Sequence, residues 1–315
     1  MAVETQSAAR DKSTIIQIIT WIMFIGSVLG VVGGMGTKYV LTRQLSWDDG
    51  LMPLALAASL AQCIAISLAA SNGLGKDQST LSSDAVDGFL KGEYASIPFL
   101  ILSLALVKWS ISAFINYLSP SSRHHQAVMA LRGVIVLWTI TAILTSLFQC
   151  APPRTWDYAH GLHCIDRRAW WAYVSAVNIL TELVIIVLYF TIIGNLQISR
   201  MKKANLLTIF STRGLVVAAT VAQLAVFWGA IPSPATDNLT DNLWLPILLN
   251  QIVVCVSVVT ACLPYLKPLM DSLESGLVRA NLPGGSEEEF SQELSHRSGG
   301  STNISAYGGH HQRSY

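Results

Sequence analysis

Seven long apolar runs constrain this chain more than any other feature: 14–36, 51–70, 96–118, 128–148, 170–196, 214–231 and 243–263. The hydrocarbon core of a bilayer is about 30 Å thick, and a helix rising about 1.5 Å per residue needs about 20 residues to cross it. The runs are 18 to 27 residues long, a spread that helix tilt accommodates. Backbone amides in lipid have to be satisfied within their own segment, so each run is read as a helix. The expected fold is all-α, a seven-transmembrane helix bundle over 14–264. Charged residues are only 12% of the 315, half the share of an ordinary soluble domain, which excludes one compact water-soluble unit. A formal net charge of +1 leaves no electrostatic footprint for nucleic acid. The lipid bilayer is therefore the first expected partner.

The first run follows a polar segment, 1–13. It is too long for the apolar part of a cleavable signal peptide and is expected to stay as an anchor. Gly26, Gly30 and Gly34 recur every four residues along it, a spacing that permits close helix contact, and packing inside the bundle is preferred to a dimer seam. The fourth run is the weakest because Arg132 lies near its start, where the side chain can reach the interface.

Orientation follows from the basic residues. Lys38, Arg43, Arg123, Arg200, Lys202, Lys203, Arg213, Lys267 and Arg279 fall on one side; Arg10, Lys12, Lys76, Lys91, Arg154, Arg167 and Arg168 fall on the other. The densest cluster lies between the fifth and sixth runs. The positive-inside rule then places the C-terminus in the cytoplasm and the N-terminus outside. Cys150 and Cys164 bracket the outer loop between the fourth and fifth runs, and a disulfide there needs an oxidising compartment. Asn238-Leu-Thr240 is a glycosylation sequon in the last outer loop. A second sequon, Asn303-Ile-Ser305, sits in the tail assigned to the inside and argues the other way. The membrane is expected to be the plasma membrane or an endomembrane.

Two ionisable side chains stand deep in the runs, Lys108 and Glu182. Charge at that depth is costly, so both are functional candidates. Each is the thirteenth residue of a run directed from outside to inside, about 18 Å below the outer end. Opposite charges at equal depth suggest an intramembrane pair, serving as a structural ion pair or as a ligand or proton site. Neutralising one partner should then hurt more than removing both, because a lone buried charge costs most.

The bracketed outer loop holds Trp156, Tyr158, His160 and His163, with Trp170, Trp171 and Tyr173 beside it. An interfacial aromatic belt and a ligand-capping lid both fit. His160, His163 and Cys164 have a zinc-like look, but a disulfide would consume the thiol, so no metal is expected. Asp48 and Asp49 mark the start of the second run, where the helix dipole favours negative charge; a link to Arg43 or to a partner protein is the other reading. Gln62, Asn178, Gln223, Asn250 and Gln251 add neutral polar groups inside the runs, suited to interhelical hydrogen bonds.

Residues 265–280 alternate Leu and Met with Lys, Asp and Glu at helical spacing and read as an amphipathic surface helix, lying in the interface or docking a cytosolic partner. Residues 281–315, rich in Gly, Ser, Glu and His, read as a disordered cytoplasmic tail. No run contains histidine, and neither a phosphate-binding G-x-x-x-x-G-K-[ST] loop nor a G-x-S-x-G turn occurs. No two-half repeat is visible, which fits an inverted-repeat transporter poorly.

Several stretches, in order, resemble the fungal rhodopsin-like integral membrane proteins over roughly residues 40–280. They are Trp47-Asp48-Asp49, Ala70-Ser71-Asn72-Gly73-Leu74-Gly75-Lys76, Lys91-Gly92-Glu93-Tyr94-Ala95-Ser96, Lys108 with Ser110, and Phe148-Gln149-Cys150 leading to Trp156 and Cys164. Asn178-Ile179-Leu180-Thr181-Glu182 and the Thr260-to-Pro268 stretch complete the set, with Leu273-Glu274-Ser275-Gly276 after it. The resemblance implies aspartate where this chain has Glu182, and a proline later in that helix, where this chain has Val187-Leu188-Tyr189-Phe190. A cysteine-rich outer module, which some receptor-like members carry, is not expected in the 13 residues before the first run. Retinal bound as a Schiff base would need a lysine within the seventh run, and 243–263 has none, so no retinal and no other cofactor is expected. The leading functional expectation is a receptor-like protein with a small-molecule ligand, its Arg200, Lys202 and Lys203 meeting an acidic cytosolic signalling partner. Against coupling to a G protein, the third run ends in Asn116-Tyr117-Leu118 and has no acidic-Arg-aromatic signature. The alternatives are a membrane component of a secondary-metabolite pathway: a transporter using Lys108 and Glu182, or a membrane-embedded enzyme whose acid is Glu182, with Asp48 or Asp49.

Overall fold

A computed structural model of the chain describes residues 2–43, 47–76, 80–118, 122–158, 164–195, 200–230 and 239–280. Their helices are α1 (Ala2–Thr42), α2 (Leu51–Ser71), α3 (Ser83–Leu118), α4 (Ser122–Leu147), α5 (Arg167–Asn195), α6 (Arg200–Ser211), α7 (Gly214–Ala230), α8 (Leu239–Asn242) and α9 (Trp244–Ala280). A 3-10 turn, Trp47–Gly50, precedes α2. Seven helical segments among the described residues are long and apolar enough to cross a membrane, and no strand occurs among those residues. The protein is an all-α, multi-pass membrane protein.

Several bounds depart from the apolar runs. Helix α1 starts at Ala2, inside the 1–13 segment, because that segment carries helix formers with no Gly or Pro to stop it. Lys12 there pairs with Asp241 at 2.7 Å, and Ser13 donates to the Ala70 carbonyl at 2.9 Å. The sixth span starts at Leu207 rather than 214. The helix over Trp244–Ala280 takes in both the seventh run and the 265–280 stretch. The chain divides into two units, 1–267 and 268–315; the tail expected over 281–315 lies outside the described residues.

The spans are unequally enclosed. Those of α3 and α9 are the most buried and that of α1 the least. Helix α1 exposes Ile15, Ile18, Ile22, Ile25, Leu29 and Val32, a stripe at helical spacing that suits lipid contact. Its glycine stripe faces α9: Gly26 meets Cys255, Gly30 meets Val259 and Gly34 meets Cys262. Helix α2 ends where Asn72 donates its backbone N–H to the Leu68 carbonyl and Gly73 turns to φ +112°, a conformation that favours glycine.

Helices α2 and α3 approach closely at Gly92. A Cβ at Gly92 would lie 2.9 Å from the Ala65 carbonyl oxygen and from the Ala69 amide nitrogen, both backbone atoms held by their helix. Gly92→Ala is therefore expected to destabilise the bundle by about 1–3 kcal/mol through overpacking. Gly133, with nothing within 4 Å of such a Cβ, is the control. Thermal unfolding of both alanine variants in lipid nanodiscs checks this, and equal stability of the two would refute it.

Candidate functional site

Three buried charges meet in the interior of the bundle. Lys108 of α3 and Glu182 of α5 are fully buried, and Lys108 Nζ lies 2.5 Å from Glu182 Oε1. Lys108 also donates to the Asn178 carbonyl at 3.3 Å, one turn earlier on α5. The third charge is Arg213, just before α7, with 2% of its surface exposed. Its Nη1 lies 3.6 Å from Glu182 Oε2. The same nitrogen donates to the Ser257 carbonyl at 3.3 Å and to Thr260 Oγ1 at 3.3 Å, both on α9. One carboxylate thus sits between two cations, and the cluster joins α3, α5 and α9 to the turn between α6 and α7.

The apolar runs do not single out Arg213. A span started at 214 puts this arginine in the preceding loop with the other basic residues. Leu206, Leu207, Ile209 and Phe210 continue the apolar character upstream, and that was the available signal. Neutral polar groups of the spans bond between helices. Asn178 Nδ2 donates to Thr220 at 3.1 Å, Gln223 donates to Asn250 at 2.5 Å, and Gln251 donates to the Cys63 sulfur at 3.4 Å. Among the described residues, Arg213 Nη2, Glu182 Oε2, Asn178 Oδ1 and Gln251 Oε1 are buried without a hydrogen bond. Buried polar atoms are ordinarily satisfied, so these four carry unmet hydrogen-bonding capacity.

Aromatic rings pack close to the trio. Tyr189 stacks on Phe210 with centroids 3.7 Å apart, and Phe114 meets both Phe210 and Tyr265. These rings come from α3, α5, α6 and α9. Lys38 of α1 lies over Tyr265 at 5.5 Å and pairs with Asp49. The Asp48–Asp49 pair therefore does more than favour a helix start: Asp49 is buried against α1, Asp48 is exposed, and α2 has no side-chain N-cap bond. A chain of contacts runs from Tyr189 through Phe210, Phe114 and Tyr265 to Lys38 and Asp49.

The other end of the bundle is tied by the loop between α4 and α5. Cys150 and Cys164 form a disulfide. Trp156 donates to Asp87 of α3 at 2.8 Å, and Lys91 lies over the Trp156 ring at 5.1 Å. Arg167 pairs with the buried Glu93 at 2.7 Å, and its guanidinium stacks on Tyr158 at 3.6 Å. Burial, then the nearby Glu93 carboxylate, push the Tyr158 phenol above its ordinary range, so it stays neutral across physiological pH. The aromatics of this loop are fastened to α3. His160 and His163 lie outside the described residues, and among the described ones no group of three His, Cys, Asp or Glu is placed to hold a metal ion.

Lys203 donates to the Gly194 carbonyl near the end of α5, a cation at a helix C-terminus where the dipole favours it. The side chains of Arg200 and Lys202 lie outside the described residues, as does Asn238. Thr240, the third residue of that sequon, is buried and donates to the Lys76 carbonyl at 2.7 Å.

Residues 35–272 match the family model described as the fungal rhodopsin domain. The match takes in the trio, the disulfide loop and the aromatic rings. No curated protein matches the chain.

Proposed function

This chain belongs to the fungal rhodopsin domain family, and from that premise we propose that it is a receptor-like membrane protein responding to a small-molecule ligand without retinal. The single observation that carries the reading is the sharing of one buried carboxylate between cations from different elements, Lys108 and Arg213 around Glu182. A shared carboxylate has two discrete ways to pair, so a ligand that contacts the cluster can bias one of them. A bistable element of that kind is what a switching protein needs. The aromatic cluster and the Lys38–Asp49 pair supply contacts toward the α1–α2 connection. The absence of lysine between residues 243 and 263 supports the reading without retinal.

In this reading the disulfide end and the N-terminus face outside, and Arg200, Lys202 and Lys203 face the cytosol, where an acidic partner meets them. Purified protein in nanodiscs, screened by thermal shift against lipophilic acids, amines and neutral terpenoids, identifies ligands. Cells expressing wild type or the triple glutamine variant of those basic residues then report second-messenger output. The expected result is a ligand-dependent signal in wild type that the variant lacks. Substrate flux into proteoliposomes that Lys108→Met abolishes would replace this reading with a carrier. Product formation in isolated membranes that Glu182→Gln abolishes would replace it with an enzyme.

Asn238 is proposed as the glycosylated residue of the outer face. Asn238→Gln should remove an endoglycosidase-sensitive mobility shift, and Thr240→Ser should keep it. Thr240→Ala is a poor test, because it also removes the hydroxyl that holds the Lys76 carbonyl. An unshifted wild-type band would refute both the modification and its use for orientation.

A further inference from the structure

We propose that the Lys108–Glu182–Arg213 cluster seats a small monoanion, a carboxylate or a halide, against Arg213 Nη2. The inference rests on the cluster being a ligand site, and it adds the chemical class. Two cations and one carboxylate meet in a fully enclosed place, leaving one positive charge in surplus. An uncompensated charge at bilayer depth is among the costliest arrangements a protein can hold. The donors are in surplus too. Arg213 Nη1 is used by Glu182, Ser257 and Thr260, while Nη2 has no hydrogen-bond partner among the described residues although it is buried. A single anion answers both deficits, since it cancels the charge and accepts from the guanidinium. Loss of a proton from Lys108 would cancel the charge alone and leave Nη2 unmet. A neutral polar molecule would meet Nη2 and leave the charge. Guanidinium and ammonium groups together favour a compact acceptor, with the planar fork suiting a carboxylate best.

The test uses the full chain in phosphatidylcholine nanodiscs, which carry no anionic lipid. Sodium HEPES is replaced by sodium chloride, acetate or hexanoate at constant ionic strength. The expected result is a saturable rise in unfolding temperature, on the order of 5 °C at a hundredfold excess over Kd. The halide arm and the carboxylate arms show which source fits. Lys108→Met and Arg213→Gln should each lose the rise. Glu182→Gln, which removes the competing carboxylate, should bind the same anion at least tenfold more tightly and be rescued by it. One unfolding temperature in all four salts, or a rise undiminished in both cation variants, would overturn the proposal. Should a cation variant not fold, amide exchange at Asn178–Glu182 in wild type, with and without the anion, decides it. Anion stabilisation without any cellular signal would sink the receptor reading and leave this one standing; a signal from neutral ligands alone would do the reverse.

Discussion

Glu182→Gln is expected to be the most damaging single substitution in the interior, costing about 3–5 kcal/mol in an anion-free medium. The reason is charge arithmetic in an enclosed space. Lys108 and Arg213 are held on either side of the Glu182 carboxylate. Glutamine leaves their two positive charges facing each other with no counter-charge. Lys108→Met instead leaves Arg213 and Glu182, which sum to zero, and Arg213→Met leaves Lys108 and Glu182, which also sum to zero. Both should cost less than Glu182→Gln, because the pair that remains is neutral. A simple pair would behave otherwise: loss of either partner would hurt alike, and loss of both would hurt least. Unfolding of the three variants in mixed detergent micelles distinguishes the schemes. If Lys108→Met and Glu182→Gln cost the same, Arg213 is not electrostatically part of the cluster.

That difference between a pair and a trio also marks what the sequence could convey. Lys108 and Glu182 stand out because each is a lone charge in an apolar run, and equal depth on parallel helices makes their meeting an arithmetic result. Seven spans are legible for the same reason, since the hydrocarbon core permits little besides a long apolar helix. Arg213 was hidden by its position near a span's end, where a shift of seven residues in the start moves it from a loop to the interior. Helix ends are set by caps and tertiary contacts, and hydropathy locates them poorly. The Glu93–Arg167 pair was hidden differently. Its members are 74 residues apart and both lie three residues before an apolar run, Glu93 before 96–118 and Arg167 before 170–196, where charges are unremarkable. Only the packing of the disulfide loop onto α3 brings them together. Asp49 shows a third case, in which an acidic residue at a helix start satisfies the dipole rule and also finds a lysine on another helix.

Replacing both Cys150 and Cys164 by serine is expected to cost about 3 kcal/mol, the chain-entropy value for closing a loop of this length, across a sequence separation of 14. The loss should be local before it is global. The loop keeps other ties, among them the Ile165 N–H to the Gln149 carbonyl at 2.8 Å, Thr155 to Tyr94 at 3.3 Å, Trp156 to Asp87, and Arg167 to Glu93. Amide exchange should therefore rise first at Trp156, Asp157 and Tyr158, while α5 around Glu182, several turns away, stays protected. Adding Glu93→Gln removes a second closure of the same loop and strands the Arg167 charge. Its effect on the serine variant should then differ from its effect on wild type, because contacts that close one loop are coupled. If the loop is a lid over a ligand route, the serine variant should also exchange bound ligand faster with little change in equilibrium affinity, since the trio is untouched. Exchange within 148–166 that is unchanged by the double substitution would show that the noncovalent ties alone hold this end of the bundle closed. The disulfide would then be neither lid nor latch.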